Sequence, residues 1–156
     1  MSGSTTITRA TPADAPEILA LIKRAFAPAA ILYDAPDLPP LAESLDEHRA
    51  RYDTHVVLKA CGPDGTILGS VQGQAQPDGT VYVARLVVDP ERQGRGIARA
   101  LMAALEDEFP DAEGFALFTG NLNDASLRLY ASLGYREVRR DVVDERLTLV
   151  WMEKRR

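Results

Sequence analysis

Residues 92–99 read Arg-Gln-Gly-Arg-Gly-Ile-Ala-Arg, two glycines and three arginines where the flanking pattern predicts the start of a helix. The first turn of a helix carries unpaired N–H groups and the positive end of its dipole, which together favour a phosphate. Gly94 and Gly96 remove side chains that would hold a pyrophosphate off the backbone, and Arg92, Arg95 and Arg99 place cationic charge beside it. A tight strand-to-helix connection with a solvated basic turn would use the same residues. The run lacks the Gly-x-x-x-x-Gly-Lys-Ser/Thr of NTP-binding loops. Arg99 stands where a dinucleotide fingerprint has its third glycine, so that fingerprint also fails.

A second constellation lies downstream. Asn123 suits a helix cap and Gly134 a helix stop. Tyr130 follows Asn123 by about two helical turns, which lets both point along one face. A phenol there is able to donate a proton to a leaving group. Structural roles account for the same residues, Asn123 as a cap and Tyr130 as a half-buried core side chain.

The elements that must position these residues follow from the hydrophobic period. A short strand at 5–9 leads to Thr11, a cap, and Pro12, at the first helical position, with Ile18, Leu19, Ile22, Ala25 and Phe26 on one face. Prolines 28, 36, 39 and 40 predict a loop over 28–40, and a second helix follows over 41–52. Strands are expected at 54–60, 66–75 and 80–88, separated by Gly-Pro-Asp-Gly and Gln-Pro-Asp-Gly turns. Beyond Pro90 come a helix burying Ile97, Leu101, Met102 and Leu105, a strand at 115–119, a helix at 123–133, and strands at 134–140 and 146–154. The sum is a single α/β (α+β) domain over residues 1–156. Its mixed, mostly antiparallel sheet of about seven strands is flanked by about four helices.

Charge narrows the function. Lys and Arg number 18 against 23 Asp and Glu, a net charge of −5, which argues against nucleic acid or an anionic membrane as partner. Cys61 is the only cysteine, so no disulfide framework or multi-cysteine metal site exists, and a reducing compartment is expected. Cys61 precedes a Gly-Pro turn with no histidine partner argued for it, and is not read as a nucleophile. The N-terminus lacks the basic flank and apolar core of a signal peptide, and the longest apolar stretch, 25–33, is interrupted by Pro28. A cytoplasmic protein is expected.

Gln93-Gly94-Arg95-Gly96-Ile97-Ala98 resembles the Gln/Arg-x-x-Gly-x-Gly/Ala signature of the GNAT superfamily of N-acetyltransferases. Asn123, Tyr130, Gly134 and Tyr135 resemble that family's second signature, in the required order. The resemblance implies acetyl-CoA as co-substrate and no metal. It places the pyrophosphate on the backbone of Gly94, Arg95, Gly96, Ile97, Ala98 and Arg99, with Gln93 ordering the turn. It runs the pantetheine arm along Leu86, Val87 and Val88, at a strand bulge, and gives Asn123 a hydrogen bond to that arm. An N–H of Leu86 or Val87 would face the thioester oxygen. Tyr130 takes the place of the general acid that protonates the CoA thiolate after direct attack by a primary amine in a ternary complex.

The base is the open point. Phe118 stands where some relatives carry a Glu, and Val81-Tyr82-Val83-Ala84 on the neighbouring strand offers no carboxylate either. Asp34, Glu43, Glu47, His48 and His55 are candidates, and a base acting through water, or binding of the neutral amine, competes with all of them; none is assigned. The resemblance places the acceptor between residues 26–52 and the turn at 141–145, with a small-molecule amine or a peptide amine as acceptor and a monomer or homodimer as the assembly. A non-catalytic acyl-CoA-binding regulatory module is the alternative.

Overall fold

A computed structural model describes residues 4–156. Seven strands form one sheet: β1 Thr6–Arg9, β2 Val56–Cys61, β3 Ile67–Ala75, β4 Thr80–Val88, β5 Gly114–Gly120, β6 Arg136–Val142 and β7 Thr148–Arg155. Their spatial order is β1-β2-β3-β4-β5-β7-β6, antiparallel everywhere except between β4 and β5. The helices are α1 Ala15–Leu32, α2 Pro39–Ala42, α3 Leu45–Ala50, α4 Ile97–Asp107 and α5 Asp124–Ser132.

Alternation along the strands feeds two cores. On one face Leu58, Val71, Val81, Val83 and Val88 pack with Ile97, Leu101, Met102 and Leu105 of α4 and with Tyr130 of α5. On the other, Val57, Ile67 and Val87 pack with Ile18, Leu21 and Ile22 of α1. The apolar spacing in α1 and α4 therefore buries the faces expected of it.

Two helix expectations are corrected. No loop begins at Pro28: α1 continues through it to Leu32. A helix-interior proline removes one N–H and crowds the carbonyl four residues back, here that of Arg24. Both residues are exposed, so the proline sits on the solvent side of the helix, where a freed carbonyl costs least. The single helix over 41–52 is broken after Ala42. There Ser44 starts α3 with a reciprocal capping box, accepting the Glu47 N–H at 3.1 Å while the Glu47 carboxylate accepts its own N–H at 2.8 Å. A 3-10 turn at Pro12–Asp14 also precedes α1, with Asp14 accepting the Thr11 N–H at 2.9 Å.

The strand at the centre of the sheet is irregular. Ser70 pairs with Val87 but Gln72 pairs with Ala84, so Arg85 and Leu86 together oppose Val71. This is a β-bulge, with Arg85 held at φ +56°. On its other side β4 pairs with β5 only at Thr80, Val81 and Tyr82, after which the two parallel strands part.

Candidate active site

The parting of β4 and β5 leaves the edge of β4 from Val83 to Val88 unpaired towards β5, and Leu86, Val87 and Val88 lie along it. The chain then enters a 3-10 turn, Pro90–Arg92, in which Asp89 caps the Glu91 N–H at 3.0 Å. Gln93 Nε2 reaches back to the Val88 carbonyl at 3.5 Å, tying the loop to the strand end.

Gly94 and Gly96 follow at φ +82° and +80°, the left-handed region that glycine enters without a Cβ clash. A Cβ built on either meets nothing within 4 Å, so the space over this loop is open. The Ala100 N–H closes onto the Gly96 carbonyl at 3.0 Å, which leaves Ile97, Ala98 and Arg99 as the unpaired first turn of α4. Arg99 Nη2 donates to Ser132 Oγ at 2.8 Å and so ties the head of α4 to the tail of α5.

Asn123 stands at the N-terminus of α5 and Tyr130 lies within its last turn. Asn123 Oδ1 accepts the Ser126 N–H at 3.2 Å, a helix cap. Tyr130 is buried, its ring edge-on to Tyr135 at 5.9 Å between centroids, and burial raises its phenol pKa well above the ordinary value of 10.0. The group is therefore a neutral O–H at physiological pH.

The α1 face of the sheet holds a buried ionic cluster. Glu43 Oε2 accepts from Arg51 Nε at 2.6 Å and from Arg85 Nη2 at 3.5 Å. Its Oε1 accepts from His48 Nδ1 at 3.2 Å, and His48 Nε2 then accepts the Tyr52 hydroxyl at 3.0 Å. Burial, more than the opposing pull of Glu43, lowers the pKa of His48, and burial with the Arg51 charge lowers that of His55. Arg51 Nη1 donates to Gln72 Oε1 at 3.1 Å. Beside this cluster Tyr82 stacks on Phe118, Phe118 meets Trp151 at a tilt with 5.0 Å between centroids, and Arg139 lies over Trp151 at 4.6 Å.

The base candidates separate on this geometry. Every Glu43 oxygen is engaged and Glu47 caps α3, while Asp34 is exposed at a turn of φ +49°. His55 Nδ1 sits 2.7 Å from Thr54 Oγ1. Cys61 is half-buried with its thiol pKa raised by burial, which keeps it protonated. Arg51, Gln72 and Arg85 were not singled out by sequence, although a charge inside the apolar run Val81–Val88 and a glutamine inside 67–73 are the signals that mark them.

The model of the Acetyltransferase (GNAT) family matches residues 18–135, well over half the chain. The chain belongs to the GNAT acetyltransferase family. Acetyl transfer is therefore its general activity. The fold is similar to that of the ribosomal-protein-S18-alanine N-acetyltransferase from Escherichia coli, 22% identical with a TM-score of 0.79 over 97% of this chain and 94% of that one. It is similar to a GCN5-related N-acetyltransferase from Kribbella flavida, 20% identical, TM-score 0.80, covering 97% and 98% of the two chains. The PaiA N-acetyltransferase from Thermoplasma acidophilum, in complex with coenzyme A, is 15% identical with a TM-score of 0.78 over 98% and 99%. No curated protein matches by sequence.

The family's acyl-CoA co-substrate fits what this GNAT chain presents. The free edge of β4, the open space over Gly94 and Gly96, and the unpaired first turn of α4 follow one another along the chain. Among the described residues no three metal-ligating side chains cluster, and no helix is long and apolar enough to cross a membrane.

Proposed function

We propose that this chain is an acetyl-CoA-dependent N-acetyltransferase that passes the acetyl group directly to a primary amine. The observation that carries the reading is the parting of β4 and β5 beside the Arg85–Leu86 bulge, immediately before the Gly94–Gly96 loop. Backbone N–H groups from Gly94 to Arg99 hold the pyrophosphate, with Gln93 bracing the loop. Leu86, Val87 and Val88 offer their free edge to the pantetheine arm, and Asn123 adds a hydrogen bond from its amide nitrogen, the oxygen being used by its cap.

In the transfer, the amine nitrogen bonds to the acetyl carbon, the C–S bond breaks, and the amine's surplus proton passes to solvent. The departing sulfur takes the Tyr130 proton, which solvent restores. A thiolate has an ordinary pKa of about 8.5, so a neutral phenol is useful to it near pH 7. A fixed N–H at Leu86 or Val87 stabilises the oxygen charge that develops. No protein side chain is assigned as base, because both oxygens of the buried carboxylate nearest the bulge, Glu43, are already hydrogen-bonded, to His48 and to Arg51 and Arg85.

The test is release of CoA thiol with a panel of amines, with acceptor-free background subtracted and acetyl-CoA binding followed by calorimetry. Acceptor-dependent release supports the reading. Tight acetyl-CoA binding with no acceptor-dependent release across the panel replaces it with a non-catalytic acyl-CoA-binding module.

A further inference from the structure

The cluster around Glu43 lines a cavity of about 300 Å³ bounded by Pro39, Ala42, Glu43, Glu47, Arg51 and Arg85. Its size is at the small end of ligand sites. Two carboxylates and two guanidiniums line it, but their bonding capacity is not balanced. Glu43 is 8% exposed and its two oxygens serve His48, Arg51 and Arg85. Glu47 is exposed, at the rim, and bound into the α3 cap. Donors, in contrast, are left over. Arg85 Nε has no partner among the described residues, and neither does the Nε2 of the fully buried Gln72, which bonds Arg51 but does not itself line the cavity. The Gln72 oxygen is fixed on Arg51, so its amide N–H groups must face elsewhere.

A buried donor without an acceptor is destabilising, and more so when it is charged. Burial and the adjacent Arg51 charge also disfavour the Arg85 guanidinium, with Glu43 as the only opposing carboxylate in contact. An ammonium ion would find neither a free buried carboxylate nor a relief of that repulsion. A carboxylate supplies both missing items: acceptor oxygens for the Arg51 and Arg85 guanidiniums that line the cavity, and a second negative charge between them, which suits their planar, bidentate geometry.

Position sets the distance to the chemistry. Arg85 is the bulge residue next to Leu86, and it projects onto the α1 face, where Tyr82 also lies close enough for its phenol to sense both arginines. We infer that the acceptor is a small amino acid whose carboxylate is held by Arg85 and Arg51, placing its amine at the β4 bulge a few bonds away. This rests on the acetyl-transfer reading above. It excludes a peptide N-terminus as the preferred acceptor, because a peptide offers a neutral carbonyl at that position.

The experiment compares CoA-thiol release for matched pairs, free α- and ω-amino acids against their carboxamides, with kcat/KM expressed per neutral amine. The acids are expected to exceed their carboxamides at least tenfold in the wild-type protein. Arg85→Gln should erase that ratio by raising KM for the acids alone, and Arg85→Lys should restore part of it. Thermal unfolding checks that the variants fold, and the wild-type ratio decides even where they do not. Carboxamides turned over as well as or better than the acids overturn the inference and leave acetyl transfer standing. Release with neither series overturns the inference, and failure of calorimetry to show acetyl-CoA binding overturns the function itself.

Discussion

Arg85 Nη2 meets Glu43 Oε2 at 3.5 Å because β4 abandons its alternation between Tyr82 and Arg85. Residues three apart in a regular strand face opposite sides of the sheet. Arg85 would then point into the apolar face that holds Val81, Val83 and α4. The bulge turns it to the α1 face, where one carboxylate joins it to Arg51 and His48.

Removing that carboxylate leaves two guanidiniums facing each other in a shielded site. Glu43→Gln is expected to lower stability by about 3 kcal/mol, the usual scale for stripping one partner from a buried pair. Urea unfolding measures it. A loss below about 0.5 kcal/mol, the level of ordinary surface substitutions, would show that the cluster contributes little to the fold.

Gly96→Asp places a negative side chain in the open space over the loop and a Cβ at φ +80°. Acetyl-CoA affinity by calorimetry should fall at least tenfold, about 1.4 kcal/mol, in a protein that still unfolds cooperatively. Unchanged affinity removes the phosphate assignment.

Asn123→Ala separates a cap from a ligand contact. Loss of the cap to Ser126 alone should cost about 1 kcal/mol of stability. A pantetheine contact adds a several-fold rise in KM for acetyl-CoA. A thermal effect with KM unchanged returns Asn123 to a purely structural role.

Tyr130→Phe keeps the ring against Tyr135 and deletes the proposed acid. Turnover with a confirmed acceptor should drop about 10²-fold at pH 6.5 while acetyl-CoA affinity holds. Burial keeps Tyr130 protonated across the assay, so the defect should narrow towards pH 9 as the thiolate leaves unaided. Equal rates at low pH, with chemistry rate-limiting, end the assignment.

Acid should destabilise the protein through His48 and His55. Both have folded pKa values lowered from 6.5, so below that pH the unfolded chain binds protons that the folded chain does not. Stability linked to them is complete above pH 6.5 and is lost as pH falls from there through the folded values. The urea midpoint should drop between pH 7 and 5, and His48→Asn should flatten the slope. A wild-type midpoint constant over that window refutes the linkage.

Local rules were enough for much of the molecule. The turns at Gly62 and Gln76, the buried stripe Ile97, Leu101 and Leu105, and the glycine loop before α4 are legible in sequence because period and turn chemistry act over a few residues. The same holds for Asn123 as the α5 cap. Pro28 misled because its cost depends on whether the orphaned Arg24 carbonyl reaches water, which is a matter of packing. Glu43 is 8% exposed, yet in sequence it is one acidic residue among 23. Its burial required Arg51, eight residues away, and Arg85, forty-two residues away, to arrive at the same point. No local propensity encodes that convergence. The bulge, the parting of β4 from β5 and the unpartnered donors of Arg85 and Gln72 all arise from strand register across the sheet, and only the tertiary structure decides register.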